Sequence, residues 1–299
     1  MFGRLTRSHL SFLVAFSALA GYLFHPAQPD GHLALQLCLG IWLLTAGASA
    51  LNQAQEKDID ARMDRTRTRP LVTGRLSVPA GVQIAVGLIA AGLIALLATN
   101  HLTVVLLGLF ALFWYNVVYT YLKKITPFAV LPGALCGALP PMIGWVLAGG
   151  SLADYPILML AAVVVLWQVP HFWLLALAYP EDARLSGLPN LFSRIRPEQL
   201  RHLSIVWILA LLVGVAFANI TGLIQADLSR ICIAAAMLLL AGAVVRYRRS
   251  ALEKSASVRL FVQLNLFMTF WFAVIALDRF VVHGNFVTGV LLGSFGFSG

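Results

Sequence analysis

The chain has 299 residues, of which 60% are hydrophobic and only 11% are charged. A soluble domain of this size carries about 25% charged residues, so the composition excludes a soluble enzyme and predicts a polytopic membrane protein. The net charge of +9 lies in short loops between apolar stretches, which disfavours nucleic-acid binding.

Apolar stretches that can cross about 30 Å of hydrocarbon, about 20 residues each, follow one another along the chain. We predict nine spans, at residues 8–25, 33–52, 80–99, 102–122, 127–148, 156–178, 203–223, 226–245 and 259–281. The tail from Asn285 is too short and too Gly-rich to count as a tenth. The predicted fold is an all-α bundle of nine transmembrane helices around a central cavity, in a single domain over residues 1–299.

Lysine and arginine are concentrated on one side of these spans. The N-terminus and the loops after spans 2, 4, 6 and 8 hold them, and only Arg230 and Arg279 fall opposite. The positive-inside rule then places the N-terminus in the cytoplasm and the C-terminus outside. The two longest polar segments, at about residues 53–79 and 179–202, reach the same rim, so we expect an active site that faces the cytoplasm. No presequence is apparent before the first span, which favours a bacterial cytoplasmic (inner) membrane over an organelle.

The remaining polar residues argue against two other kinds of site. Cys38, Cys136 and Cys232 lie singly in apolar spans without disulfide or metal-ligand spacing, so we interpret them as packing residues. No acidic residue is obviously at mid-membrane, which disfavours a proton- or ion-coupled transporter.

The most informative polar segment follows the second span. Asn52, Glu56 and Asp60 are spaced at i, i+4 and i+8. A helix that runs on through them would drift only ~40° per step, so all three oxygens would share one face over roughly 12 Å. Asp58 would point away. Such oxygen ligands suit Mg²⁺, which binds through one or two carboxylates and substrate phosphates.

Four arginines follow this acidic face: Arg62, Arg65, Arg67 and Arg69. Guanidinium groups match phosphate oxygens, so acid next to base at the mouth of a membrane bundle indicates a diphosphate–metal site. The alternative is a solvated helix end in a positive-inside loop. The pattern N-x-x-x-[DE]-x-D-x-D-x-x-M-x-R-T-x-x-R-P-L resembles the first signature of the UbiA-type intramembrane prenyltransferases. Glu56 stands where that family usually has aspartate.

The end of the fourth span and the fifth span carry Tyr, Lys, Gly and Pro strings that resemble the same family. Tyr and Lys at a helix end are by themselves typical of an interfacial belt, and small residues of close helix packing. The resemblance implies that Lys123 binds the diphosphate with Tyr119 beside it. It also implies that Gly133 and Gly137 make room for substrate and that the pair 140–141, both proline, breaks the helix.

The sixth span is interrupted by Pro170 and contains two rare polar groups, Gln168 and His171. A lone intramembrane histidine is often a helix–helix contact. However, the string W-Q-x-P-H-F-W-x-L-A resembles the haem-modifying members of the family rather than those that act on quinones or chlorophyll. Imidazole is the ordinary axial ligand of haem iron. The resemblance therefore implies that Gln168 and His171 contact a porphyrin, with iron ligation and a propionate contact both left open.

A second acidic segment follows the sixth span. Aligning Gly187 and Pro189 with the family's second signature places Asp182 on its aspartate. Ala183 replaces the usual tyrosine and Asn190 the usual methionine, so this motif is the weaker one. The resemblance implies that Asp182 joins the metal ligands.

The family resemblance implies a complete reaction. Farnesyl would pass from farnesyl diphosphate to the vinyl group of protohaem IX (haem b), with addition of water, giving haem O and diphosphate. Haem b is then a substrate, Mg²⁺ the cofactor and the lipid bilayer the environment, with haem A synthase or oxidase-assembly factors as candidate recipients of the product. The implied catalytic residues are Asn52, Glu56, Asp60, Lys123 and Asp182, all but Lys123 as Mg²⁺ ligands; the implied substrate-binding residues are Arg65, Arg69, Tyr119, Gln168 and His171.

Two alternatives stay open at this point. The chain could be a UbiA-type enzyme that prenylates an aromatic or quinone precursor, against which the tryptophan–glutamine–histidine string argues. It could also be a haem or lipid carrier that binds without reacting. A carrier would keep haem binding when Asp60 is replaced by Asn, whereas an enzyme would lose turnover.

Overall fold

In the computed structural model, which describes residues 1–293, the chain is folded almost entirely into α-helices. The nine long helices are, in chain order, α1 (Ser8–Phe24), α2 (Gly31–Gln55), α3 (Val78–Leu97), α4 (Leu102–Phe113), α5 (Leu135–Leu147), α6 (Tyr155–Ala178), α7 (Pro197–Ile220), α8 (Asp227–Arg249) and α9 (Lys254–Gly293). Within residues 1–293 there is no β-strand. The predicted all-α class is confirmed.

Short helical segments flank the long helices. They are Phe2–Leu5 before α1, Lys57–Asp60 after α2, the π-helical turn Trp114–Tyr119 and the turn Thr120–Leu122 after α4, Val130–Gly133 before α5, and Pro180–Leu185 and the 3₁₀ turn Leu191–Ser193 after α6. Two of them, Lys57–Asp60 and Pro180–Leu185, lie where the two predicted polar loops begin, so they shape the end of the bundle that carries the charges.

Each predicted span coincides with one of the nine long helices. In the described residues, eight spans are long and apolar enough to cross a membrane; two of them join α4 to the turns that follow it (Leu102–Leu122) and α5 to the short helix that precedes it (Val130–Leu147). The remaining long helix, α1, is also apolar but has only 17 residues. Large apolar side chains cover the outer surface, as at Leu238 and Leu239, which are each 75% exposed. Lipid-facing helices require such a surface, and the chain is a multi-pass membrane protein.

Three expectations are wrong: one about where a helix ends and two about prolines that were expected to interrupt helices. α9 extends to Gly293, past the predicted end at residue 281, and residues 294–299 of the predicted tail lie outside the described residues. Pro170 does not interrupt α6, and Pro140 and Pro141 lie inside α5 instead of breaking it. Transmembrane helices tolerate proline because neighbouring groups and local backbone adjustment satisfy the freed carbonyls.

Short polar side chains cap the N-termini of α2 and α3. Asp30 Oδ1 accepts hydrogen bonds from the backbone N–H groups of His32 (2.7 Å) and Leu33 (3.2 Å) and begins α2. Ser77 Oγ accepts one from Ala80 N (3.3 Å), with a proline in the first turn of α3. Such caps satisfy orphan donors at the helix end. They set where α2 and α3 enter the bundle.

Small residues let the helices approach closely. α2 packs along α3, and α1 packs against both α2 and α5. A Cβ added to Gly92 on α3 would lie 2.7 Å from Leu44 N on α2, and one added to Gly21 on α1 would overlap the Pro141 carbonyl of α5. Backbone contact at these crossings is possible because glycine has no side chain. The polar end of α2 instead contacts the turns that follow α4, where Asn52 Nδ2 donates to Thr120 Oγ1 (3.1 Å) and Gln55 Nε2 to the Asn116 carbonyl (3.1 Å).

The two polar loops meet at one end of the bundle. Asp64 N in the first loop donates a hydrogen bond to Asp182 Oδ1 in the second (2.9 Å). A Cβ added to Gly187, which has φ +72°, would lie 2.7 Å from Arg62 Nη1. The prediction that both loops reach the same rim is confirmed.

Candidate active site

One cavity of about 460 Å³ opens where the polar loops meet, a size typical of ligand sites. Side chains of α1, α2, α4, α5 and α6 and of the first polar loop line it. Nine of the ten predicted site residues are among the lining residues: Asn52, Glu56, Asp60, Arg65, Arg69, Tyr119, Lys123, Gln168 and His171. Residues far apart in the sequence thus share one space, and only Asp182 lies outside the lining.

The acidic residues after α2 are turned inward. Glu56 leaves helical geometry (φ −118°, ψ 13°), so the expected uninterrupted helix is wrong. Backbone hydrogen bonds from Glu56 N to Asn52 O (3.0 Å) and from Asp60 N to Glu56 O (2.8 Å) still keep the three residues in register. Their exposed fractions are only 4%, 6% and 1% for Asn52, Glu56 and Asp60, whereas Asp58 is exposed, as predicted.

The two innermost acids each pair with a cation. Lys123 Nζ contacts Glu56 Oε1, and Arg69 Nη1 contacts Asp60 Oδ2. Burial lowers the pKa of Lys123, and the neighbouring Glu56 carboxylate opposes that shift. Buried charges need such partners, because an uncompensated charge in the protein interior is strongly destabilising. Four charges therefore lie at the cavity mouth with no net charge among them.

Arg65 links the cavity to Asp182. Its Nε lies 4.0 Å from Asp182 Oδ2, which is buried and accepts no hydrogen bond within the described residues. Burial lowers the pKa of Arg65, and the like charges of Arg7 and Arg69 lower it further. Asp182 is 8% exposed and sits behind Arg65 instead of facing the cavity. It follows that Asp182 acts on the cavity through Arg65 in this arrangement.

A π-helical turn, Trp114–Tyr119, positions the aromatic and basic residues that follow α4. Single π-turns are frequent at functional sites because the extra residue redirects the side chains. The Tyr115 and Tyr119 rings stack with their centroids 6.0 Å apart, and both residues line the cavity. Lys123 Nζ lies 5.5 Å from the centroid of the Tyr119 ring. Tyr119 therefore flanks Lys123, as the resemblance implied.

The part of the cavity formed by α6 is aromatic, and none of the ion pairs found in residues 1–293 involves an α6 residue. His171 contacts the Phe172 ring edge to face, with centroids 5.1 Å apart, and both line the cavity. Gln168 lies against Gly137 of α5, where a Cβ would overlap the Gln168 amide. Gln168 Oε1 and Trp167 Nε1 are buried and have no hydrogen-bond partner within residues 1–293. Gly137 therefore makes room for a protein side chain as well as lining the cavity.

Gly133 has the same double role beside Tyr119. It lines the cavity, and a Cβ there would lie 2.6 Å from Tyr119 Cδ2. The predicted space-making glycines are both at the cavity wall.

Arg7 is a cavity residue that the motifs did not identify. It lines the cavity and has a positive φ of 50°, a left-handed conformation that is uncommon outside glycine. Within the described residues its side chain forms no ion pair. The sequence signal was limited to the basic N-terminus, which topology alone explains. Tyr115 was likewise missed as a lining residue, because Tyr at a helix end is typical of the aromatic belt at the membrane interface.

Oxygen ligands of the right kind for Mg²⁺ are present at the charged mouth. Within residues 1–293, no group of three or more His, Cys, Asp or Glu side chains is arranged to hold a metal ion. Mg²⁺ needs fewer, since it usually binds one or two carboxylates plus phosphate and water. Glu56 and Asp60 supply carboxylates, and Asn52 donates its Nδ2 to Thr120 Oγ1 (3.1 Å), which leaves its oxygen available. The residues fit such an ion in their chemistry.

Comparison with known proteins points to one family. The sequence profile of the UbiA prenyltransferase family matches residues 14–271. A protein named protoheme IX farnesyltransferase from Geobacter sulfurreducens is 46% identical over 187 residues, which cover 62% of this chain and 68% of its own length. A protein of the same name from Oleidesulfovibrio alaskensis is 37% identical over 280 residues, covering 94% and 96% of the two chains.

Solved structures share the fold. A UbiA homolog from Archaeoglobus fulgidus bound to GPP and Mg²⁺ has a TM-score of 0.66 at 20% identity, covering 92% of this chain and 99% of that one. A structure described in work on digeranylgeranylglyceryl phosphate synthase in membranes has a TM-score of 0.72 at 15% identity, covering 93% and 96%. At these identities the likeness establishes the architecture of the bundle.

Proposed function

This chain belongs to the UbiA prenyltransferase family, and we propose that it transfers the farnesyl group of farnesyl diphosphate to a vinyl group of protohaem IX, giving haem O. The observation that carries the proposal is a single cavity with a charged mouth and an aromatic interior that contains His171. The first suits a diphosphate and the second a porphyrin. Relatives that carry the name protoheme IX farnesyltransferase support the same substrates.

The charged mouth would bind the diphosphate. Arg65, Arg69 and Lys123 line it and carry the donors that phosphate oxygens require. Mg²⁺ would be held by Glu56 and Asp60, with Asn52 as a further ligand. Asp182, which lies behind Arg65 and outside the cavity lining, would orient Arg65 instead of binding the ion as the resemblance implied. When bound, Mg²⁺ would neutralise diphosphate charge and favour departure of this leaving group. When the ligand binds, the cations of the existing ion pairs would contact the diphosphate and the carboxylates would contact Mg²⁺, so that no charge is left unpaired. Stabilising charge that develops on the leaving group is the main catalytic task.

The apolar wall would hold the farnesyl chain. Ile41, Leu44, Leu112, Ile143 and Leu175 supply hydrocarbon to the lining of the same cavity. Hydrocarbon side chains bind the isoprenoid and exclude water while the allylic carbon carries positive charge. Premature hydrolysis is thereby limited.

The porphyrin would bind at the aromatic interior. His171 offers an imidazole to the haem, and Phe172 offers a flat ring. The terminal vinyl carbon attacks C1 of the farnesyl group, and the diphosphate leaves with the electron pair of the C–O bond. Water adds to the cation next to the pyrrole and loses a proton, which gives the hydroxyethylfarnesyl group. No side-chain nucleophile is required.

The test is to incubate membranes that contain the protein with haem b, farnesyl diphosphate and Mg²⁺ and to resolve the extracted haems by chromatography and mass. A Mg²⁺-dependent haem that has gained farnesyl and water is expected. Prenylation of an aromatic acceptor instead would identify the quinone-type alternative. Haem binding without transfer to any acceptor would identify a carrier.

The charged mouth would face the cytoplasm of a bacterium. This follows from the Lys and Arg asymmetry, and it places soluble farnesyl diphosphate on the side where the ion pairs lie. Reporter fusions after Arg75 and after Ser151 test it. The fusion after Arg75 should be active only with a cytoplasmic reporter and the fusion after Ser151 only with an exported one. The reverse result would invert the topology.

A further inference from the structure

A hydrogen bond between two helices holds His171 from behind. His171 Nδ1 on α6 lies 2.8 Å from Asn265 Oδ1 on α9. Asn265 Nδ2 in turn donates to the Phe261 carbonyl at 2.6 Å. The cavity lining contains His171 but neither of the two α9 residues. The Nδ1 edge of the ring is therefore turned away from the cavity, towards α9.

The contacts of Asn265 determine which way its amide is oriented. A backbone carbonyl can only accept a hydrogen bond, so the group that faces Phe261 O must be the amide NH₂. The amide oxygen then faces His171, and it too can only accept. The proton of this hydrogen bond must therefore come from His171 Nδ1. In neutral imidazole one ring nitrogen carries hydrogen and the other a lone pair, so the lone pair is on Nε2.

The surroundings of His171 leave Nε2 to the cavity. The ring packs against three aromatic side chains, with centroid distances of 5.1 Å to Trp167, 5.1 Å to Phe172 and 4.7 Å to Phe261. Within residues 1–293, no carboxylate pairs with the imidazole, and its hydrogen bond is the one to Asn265. Three rings restrain the imidazole plane, and one acceptor selects its protonated nitrogen.

We propose that Asn265 is a positioning residue that holds His171 as the Nδ1–H tautomer and so presents Nε2 to the cavity as a ligand for the iron of the porphyrin substrate. The proposal rests on the proposed function and selects iron ligation over a propionate contact, because a lone pair repels a carboxylate. Metal-binding histidines commonly donate their other N–H to an acceptor that fixes tautomer and orientation, and loss of that acceptor costs about 10–100-fold in affinity or activity.

Two measurements test this inference on the purified full-length protein. The first is ¹⁵N NMR of the histidines without substrate, with the signal of His171 identified by its absence in His171→Ala. We expect Nδ1 to be protonated. The second is titration with haem b, followed by the Soret band. Asn265→Leu should bind haem about 10–100-fold more weakly and lose the wild-type spectrum, with the KM for farnesyl diphosphate unchanged.

Two further variants separate positioning from packing. Asn265→Gln keeps both the acceptor for Nδ1–H and the donor for the Phe261 carbonyl and should restore both affinity and spectrum. Asn219→Leu is the matched control, since Asn219 also donates its amide to a backbone carbonyl, Arg230 O at 3.2 Å, but does not line the cavity. It should bind haem as the wild type does.

The possible results distinguish this inference from the proposed function. The inference would be overturned if His171 were protonated at Nε2 or if Asn265→Leu bound haem as tightly as the wild type. The proposed function would still stand in that case, provided that the wild type transfers farnesyl to haem. A wild-type protein that neither binds nor farnesylates haem would overturn both. An Asn265→Gln variant as impaired as Asn265→Leu, in a folded protein, would also overturn it, since loss of the amide would then not explain the defect.

Discussion

The two ends of the cavity differ in whether their buried polar side chains have partners within the protein. At the charged end, Glu56 pairs with Lys123 and Asp60 with Arg69, so every acid facing the cavity has a cation. At the aromatic end, Gln168 Oε1 is buried without a hydrogen-bond partner within the described residues. A ligand can bind the paired charges only by replacing one of their partners. The unpaired neutral amide, in contrast, can form a hydrogen bond with a ligand without breaking an existing one. The first arrangement suits a charged ligand and the second an uncharged planar one.

This difference predicts how each end responds to substitution. Removing one member of a buried ion pair leaves an uncompensated charge, which is costly whether or not substrate is present. Changing a neutral group at the aromatic end should affect the binding of one substrate with little effect on the other. Variants of the ion-paired residues at the charged end should therefore reduce turnover, and variants at the aromatic end should raise a single KM.

The largest effect is expected at Asp60. Asp60→Asn removes a carboxylate for Mg²⁺ and leaves Arg69 without its partner, so haem O formation should fall about 10²–10³-fold. Haem binding should persist, because His171 lies at the other end. The measurement is the rate of haem O formation in membranes matched for protein amount. Asp64→Asn is the control: that carboxylate is exposed and pairs with Arg67 at 3.2 Å on the surface. Near-normal turnover in Asp60→Asn would mean that the charged end does not handle the diphosphate.

The pairing of Glu56 with Lys123 predicts a change in pH dependence. Burial lowers the pKa of Lys123, and the Glu56 carboxylate opposes this. Without that carboxylate, the Lys123 pKa falls further, and the ammonium that binds phosphate is lost at a lower pH. Glu56→Gln should thus shift the alkaline decline of kcat/KM to lower pH, besides lowering the rate about 10–100-fold. A Lys124→Gln protein, altered at the neighbouring lysine, should keep the wild-type profile. If the profiles of Glu56→Gln and wild type superimpose, Lys123 is not the titrating group.

A smaller and more selective effect is expected at Gly137. In Gly137→Ala the new Cβ overlaps the Gln168 amide, which must move. Displacing a positioning group by about 1 Å can cost up to 10²-fold, and we expect about a tenfold rise in the KM for haem. The KM for farnesyl diphosphate should not change. Gly87→Ala is the matched control, because nothing lies within 4 Å of a Cβ at that helical glycine. An equal rise in both KM values would contradict the separation into two ends.

Much of the fold could be predicted because bilayer thickness demands about 20 apolar residues per helix. Boundaries were less predictable where a helix leaves the hydrocarbon. α7 begins at Pro197, six residues before the predicted span at residue 203, since its first turns are polar. The prolines of α5 and α6 were misread for a related reason. Proline predicts a break in water, but a packed bundle satisfies the freed carbonyls.

The site was predictable where its residues are local in sequence. Asn52, Glu56 and Asp60 share a face because i→i−4 hydrogen bonds persist across the break at Glu56. Their partners were not predictable, because Lys123 reaches Glu56 across helices and Asp182 is placed behind Arg65 by the second loop. Such contacts depend on tertiary packing, which spacing does not encode.

The same limit explains why Arg7 was missed, and Arg7 provides the smallest test of the two-ended cavity. It approaches Arg65 and lines the cavity without an ion pair. A half-exposed charge contributes up to ~1 kcal/mol, so Arg7→Ala should raise the KM for farnesyl diphosphate about fivefold with little change in kcat. Arg4→Ala, at an exposed residue of the same segment, should have no effect. A rise in the KM for haem instead would mean that a propionate reaches the charged end, and the two ligands would then share one set of cations instead of occupying separate ends.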